Sequence, residues 1–356
     1  MNRIFLTSLT TTILIAAANA CDLCSATMPL VRLENRHGWH AGISEQYTSY
    51  ETLRLDGRTI SDSAGQYLHS SITQLYLGYD FTPAFGVQVN LPFIHRSFRR
   101  VEDARIESGT ESGIGDLSLL AHWTPVRVQR GDFNFTARLV GGIKLPTGDS
   151  GRLREEGEHS HSDDAAVAEP EHEDEPHAHG GELHAEEAHS EEPHAGDTHA
   201  EEESDLPPGG VHGHDLALGT GSVDGIFGAD IHAQWKRIFF DAGIQVTVRG
   251  DGDHDFDYAD DIAWHAAVGA IAIQGDDLNV AVEVRVSGES KGEDEFQGRR
   301  LDDTSASVVY VGPRVIGTWR DRLAVDIGVE FPVMRENSGT MVAPDYRIRA
   351  GVGWQF

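Results

Sequence analysis

The sequence predicts an all-β protein: a transmembrane antiparallel β-barrel of about twelve strands with a long disordered His/Glu-rich extracellular loop. Three observations lead there. Apolar and polar side chains alternate over segments near twelve residues long, when soluble strands average nearer 5–6 and tilted membrane strands need about 9–11. No apolar run after residue 20 reaches the roughly 18 residues of a transmembrane helix. The connections alternate between short turns and long polar loops, which is the rhythm of an even-stranded barrel.

The chain opens as a secretory signal over residues 1–20. Arg3 supplies the positive start, Ile4 to Ala18 the apolar stretch, and Ala18-Asn19-Ala20 the small-residue cleavage site. The mature chain is expected to begin at Cys21, and residues 21–39 form a periplasmic segment. Its Cys21-Asp22-Leu23-Cys24 holds the only two cysteines. Three readings stay open for them: a local disulfide, a metal-binding thiolate pair helped by His37 and His40, or lipidation of Cys21.

Twelve strands are expected over 40–356, at about 40–52, 66–80, 84–96, 113–124, 132–146, 222–236, 238–249, 260–274, 276–289, 304–319, 322–334 and 344–356. Phe85, Val87, Val89, Leu91 and Phe93 face one way, and Gly86, Gln88, Asn90 and Pro92 the other. Leu323, Val325, Ile327, Val329, Phe331 and Val333 oppose Asp326 and Glu330 in the same manner. The closing segment sets Tyr346, Ile348, Ala350, Val352, Trp354 and Phe356 against Arg347, Arg349 and Gln355. The first strand and the one near 260–274 alternate poorly. Short turns are expected after the second, sixth, eighth and tenth strands. Long loops are expected at 53–65, 97–112, 147–221, 250–259, 290–303 and 335–343. Both termini then fall on the periplasmic side of the outer membrane of a Gram-negative bacterium, in contact with lipid. The aromatic Phe356 ends the segment that barrel-assembly machinery reads in this class.

Gly113-Ile114-Gly115-Asp116-Leu117, Gly142-Ile143-Lys144-Leu145-Pro146-Thr147-Gly148-Asp149 and Leu218-Gly219-Thr220-Gly221-Ser222 follow Val89-Asn90-Leu91-Pro92. Together they resemble the outer-membrane barrel transporters of the phenol-degradation (MetA-pathway) type. The resemblance implies a channel or uptake protein for small molecules. The chain departs from that pattern between Asp149 and Leu218, where a long insert replaces a compact loop.

The formal charge is -30, and residues 155–205 hold 20 of the 58 acidic residues with no Lys or Arg. Without clustered cations, nucleic acid is excluded as a partner. Eleven of the 19 histidines lie in the insert: His159, His161, His172, His177, His179, His184, His189, His194, His199, His212 and His214. With so little apolar surface, residues 150–217 are expected to be disordered. From His179 to His199 a histidine recurs every five residues, a spacing that gathers on no helical face. The H-x-H pairs 159/161, 177/179 and 212/214 place two imidazoles close along an extended chain. Imidazole with carboxylate suits loosely bound Zn²⁺, Cu²⁺ or Ni²⁺, so divalent metal ions are candidate partners. The alternative is a solvated brush that shields the surface. The Asp251–Asp257 loop could hold Ca²⁺, but its pattern is incomplete.

Inward positions carry charge of both signs. Arg138, His232, Glu283, Arg285, Arg314, Glu330, Arg347 and Arg349 are the candidate lumen residues. They form either a structural cross-barrel network or a selectivity filter. No serine stands in a pattern that supplies an activating base, and Gly219-Thr220-Gly221-Ser222 lacks the lysine of a P-loop. No enzymatic activity and no obligatory cofactor are expected.

The leading reading is an outer-membrane channel for small solutes with a metal-collecting external loop. The alternatives are a channel for small organic, aromatic or hydrophobic molecules shielded by the loop, and a non-transporting metal-sequestering surface protein.

Overall fold

The computed structural model describes residues 37–156 and 206–356. The signal segment, Cys21, Cys24 and the nine histidines from His159 to His199 lie outside these residues.

Alternation dictates the wall. Strands β1 (Gly38–Leu55), β2 (Tyr67–Thr82), β3 (Phe85–Glu102), β4 (Arg105–Ile114), β5 (Leu117–Arg130) and β6 (Phe133–Leu145) precede the insert. Strands β7 (Asp224–Trp235), β8 (Ile238–Val248), β9 (Asp261–Gln274), β10 (Leu278–Lys291), β11 (Ala306–Trp319), β12 (Leu323–Asn337) and β13 (Thr340–Gln355) follow it. Every neighbour is antiparallel, and β13 returns to pair with β1, from His40 opposite Gln355 to Leu55 opposite Thr340. Closure joins the first wall strand to the last, which a barrel in lipid requires. Strands β4 and β5 share one wall position: β4 pairs the far half of β3 and β5 its near half. The wall therefore has twelve positions, as the alternation predicts.

The outward face is apolar. Leu75, Leu77, Val87, Val89, Leu119, Leu139, Ile143, Val282, Val284, Ile327, Ile348 and Val352 are all exposed. Their inward neighbours Gln74, Gln88, Asn90, Ser118, Lys144, Glu283 and Arg347 are buried. This inverts the soluble arrangement and suits a lipid exterior with a polar lumen. At the short-turn end the exposed aromatics Trp39, Phe81, Phe85, Trp123, Phe133, Trp235, Trp319 and Phe356 form a girdle. Three ring contacts, Trp39–Tyr79, Tyr79–Phe81 and Phe81–Phe85, link part of it. Such belts sit at a membrane–water boundary.

Three expectations need correction. Residues 97–112 are not a loop, because β3 runs to Glu102 and turns back at once into β4. Asp103 and Ala104 both take positive φ, the conformation a two-residue hairpin demands. Residues 335–343 are likewise a tight turn, at Ser338 and Gly339. Both segments are polar because these hairpins stand above the lipid, so their strand character shows no apolar alternation. Finally, the insert is ordered at both ends. Gly151–Arg154 form a 3-10 turn, and Gly213–Leu216 form a one-turn helix, α1.

Candidate functional site

The ordered end of the insert, residues 206–222, is a strap across the long-loop mouth. Leu53, Leu68, Phe98 and Val342, from four different strands, enclose Val211 and Leu216 of the strap. Ala217 joins a second cluster with Leu153, Phe256, Tyr258 and Phe296, and Leu218 packs on Ile72 and Ile94. Backbone groups dock as firmly. The Gln66 amide donates to the Pro208 carbonyl, Val342 N–H donates to the Gly210 carbonyl, and the buried Arg96 donates to the Ala217 carbonyl at 2.6 Å.

The glycine motifs explain how the strap is held. Asp116 accepts hydrogen bonds from the backbone N–H groups of Gly148 and Thr220, both at 2.9 Å, and from the Thr220 hydroxyl. Lys144 lies 2.6 Å from Asp224 and 3.2 Å from Asp116, and donates to Thr220. The three motifs thus meet in one buried knot. A Cβ on Gly148 would stand 2.5 Å from the Leu218 carbonyl oxygen, and one on Gly219 would stand 2.7 Å from the Gly148 Cα. Only two glycines allow these chains to touch.

His212 and His214, expected among loose loop ligands, lie in the ordered strap, each with a ring nitrogen already in contact with a protein group. Their rings stack 5.5 Å apart, and His214 stacks in turn on Phe256. His212 meets the Thr340 carbonyl, and His214 Nδ1 lies 2.9 Å from the Glu156 carboxylate. Burial opposes charge on His214, but Asp215 and Glu156 overcome it and raise its pKa to about 9. Burial likewise opposes charge on Glu156, and His214 lowers that carboxyl to about 2. The pair is an ion pair joining the two flanks of the insert. An imidazolium cannot bind metal. Among the described residues no group of three His, Cys, Asp or Glu is arranged to hold a metal ion.

Beneath the strap, towards the short turns, lies an internal vestibule of about 540 Å³. Seven of the eight candidate lumen residues line it; the eighth, Arg347, is fully buried beside it. His232 meets Asp241 at 2.9 Å, and Arg314 bridges Asp326 at 3.0 Å and Glu283 at 3.3 Å. Arg347 grips Glu289 with two hydrogen bonds and stacks over Tyr310 at 4.0 Å. Glycines keep the space open: a Cβ on Gly328 would press on Arg314, one on Gly351 on Asp326, and one on Gly243 on Asp230 and His265. Glu45, Asp230, Asp241, Glu283, Glu289, Asp321, Asp326 and Glu330 line it with Arg138, Arg285, Arg314 and Arg349, and Arg347 behind the lining takes up Glu289. The lining has eight carboxylates against four guanidiniums.

Sequence reasoning passed over Glu289, Arg96 and Asp224 as lumen groups, and assigned Asp116 and Lys144 no partner. Glu289 and Arg96 end the expected strands 276–289 and 84–96, where alternation gives out. Asp116 and Lys144 sit inside the glycine motifs, the signal that could have singled them out.

No family model matches the chain, and no curated protein does. Among solved structures, an outer membrane channel from Pseudomonas putida F1 superposes with a TM-score of 0.60 at 15% identity, over 90% of this chain and 96% of that one. The transport unit of the autotransporter AIDA-I from Escherichia coli gives 0.44 at 10% identity, over 94% and 95% of the two chains. The first likeness shows the fold, the same outer-membrane type of barrel that the glycine motifs resemble; the second is too distant to bear on it.

Proposed function

We propose that this protein is an outer-membrane channel for small hydrophilic solutes, with a preference for cations. The observation that supports this best is the vestibule, whose lining carries twice as many carboxylates as guanidiniums. Fixed charge of one sign in a low-dielectric cavity concentrates the opposite ion. The same lining makes poor company for a hydrocarbon, so a polar cargo is favoured over an aromatic one. In barrels of this class the short turns face the periplasm. The vestibule then opens inward, and the strap closes the outer mouth, where Glu156 and Leu206 also lie.

The histidines of residues 157–205 serve in this reading as loose ligands that raise the local concentration of a divalent transition metal outside the barrel. Zinc and potassium flux into liposomes carrying the full chain, or the chain lacking 157–205, tests both parts. Potassium flux in both, with faster zinc flux only in the full chain, is expected. Zinc flux indifferent to the deletion removes the metal-collecting role, and no flux of either ion removes the channel.

A further inference from the structure

The vestibule is acidic as a whole, yet one corner has the opposite balance. Arg285 of β10, Arg347 and Arg349 of β13 surround Glu330 of β12, with Glu289 as the second nearby carboxylate. Glu330 lies 3.6 Å from Arg285, 3.8 Å from Arg347 and 3.7 Å from Arg349, so it makes no short hydrogen bond with any of them. Glu289 is committed to Arg347 at 2.5 and 2.7 Å, and reaches Arg349 only at 3.4 Å. Three guanidiniums therefore share two carboxylates.

Arg285 is the least satisfied. Its side chain is 16% exposed, its Nε is buried without a hydrogen bond, and among the described residues the distant Glu330 is its one ion-pair contact. Arg347 and Arg314 are better held: the Arg347 Nε also lacks a hydrogen bond, but its guanidinium is clamped by Glu289 and Tyr310, and Arg314 is clamped by Glu283 and Asp326. A buried guanidinium facing a cavity without an acceptor is costly unless an anion completes it. Its planar fork fits a carboxylate with two parallel hydrogen bonds. Along the neighbouring wall stand Asp241 of β8 and Asp230 of β7, two and three strands from Arg285, and Glu283 lies two residues along its own strand; their carboxylates would receive a cation.

We propose that the vestibule binds a small organic solute carrying one carboxylate and at least one protonated amine, in the chemical class of basic amino acids. The carboxylate docks on Arg285, and the amine lies towards Asp230, Asp241 and Glu283. This deepens the channel reading by naming a solute class, and it rests on that reading for its place in transport. Binding itself requires no conduction. A cavity of about 540 Å³ has room for such a molecule.

Equilibrium dialysis of the full chain in detergent with labelled L-lysine tests the site without relying on flux. Saturable binding of L-lysine is expected, weakened roughly 10- to 100-fold in L-lysinamide, which lacks the carboxylate. Arg285→Gln should weaken L-lysine by a similar factor while leaving lysinamide unchanged. Arg105→Gln, in the exposed hairpin, serves as the control, and heat-modifiable migration verifies that each variant is a folded barrel. No saturable binding, equal binding of the amide, or an Arg285→Gln variant that is folded and binds L-lysine normally would each overturn the proposal. Lysine binding without ion flux in liposomes would keep the site and remove the channel.

Discussion

Arg347 of the last strand reaches past two neighbours to bind Glu289 of β10, with hydrogen bonds of 2.5 and 2.7 Å. The strands between them are β11 and β12, so the pair is a chord inside the barrel and no part of the sheet ladder. Tyr310 of β11 lies under the guanidinium at 4.0 Å. A chord of this kind fixes the closing strand against the wall it must join. Removing Arg347 leaves the buried Glu289 with Arg349 alone, at 3.4 Å, a loss of up to about 3–5 kcal/mol. Arg347→Ala should lose that much in denaturant unfolding of the barrel, and Arg347→Met with Glu289→Leu should lose clearly less. Equal loss in the single and double variants would mean that the pair is not coupled.

The strap should respond to alkali more than to acid. His214 has its pKa raised to about 9, so its contribution is complete below about 6.5 and gone once pH passes 9. Glu156 is lowered to about 2, so its contribution is present above about 4.5 and disappears as pH falls through 2. The latch therefore stands through pH 4.5–6.5, weakens above that, and opens beyond about 9. Cleavage at Arg152 and Arg154 by an added trypsin-like protease should accelerate above pH 9. His214→Asn should show fast cleavage already at pH 7.5.

Zinc should be held outside the barrel by the residues that follow Glu156. The full chain should bind several Zn²⁺ at pH 7.5 with micromolar or weaker affinity, and a chain lacking 157–205 should bind none of them. Affinity should fall as pH drops through the imidazole range near 6.5, since only the neutral ring is a ligand. His214 is already charged and should not contribute, so His214→Asn should leave the stoichiometry unchanged.

Phe356 follows the last wall residue, and its N–H donates to the Trp39 carbonyl at 2.9 Å. Its ring projects outward at the aromatic girdle. Deleting it should remove little folding energy but should slow assembly. The expected result is less heat-modifiable barrel in the outer membrane of expressing cells, with ordinary stability for the fraction that inserts.

Much of this fold was legible because a strand wall with lipid outside and charge inside writes a period of two into its residues. Val282 and Val284 against Glu283 and Arg285 leave little choice. The inward positions of Arg138, Glu283 and Arg349 follow the same period, and these side chains line the vestibule. The strap was not, because Pro207, Pro208, Gly209, Gly210 and Gly213 carry no periodicity. Its order comes from distant partners: Gln66, Arg96, Asp116 and Lys144. A histidine at position 214 reads like the others in the insert, and only its contact with Glu156 and Phe256 sets it apart. The β3–β4 hairpin was hidden because strands above the membrane need no lipid-facing alternation.

The reversal potential of the purified full chain in a planar bilayer, under a KCl gradient, tests the cation-preferring channel most directly. Small conductance with a reversal potential on the cation side is expected, rising in amplitude when His214→Asn loosens the strap. The cation preference should shrink when Asp230→Asn and Asp241→Asn thin the acidic wall. A reversal potential on the anion side, or no conductance in the wild-type chain and in the loosened strap alike, would contradict it.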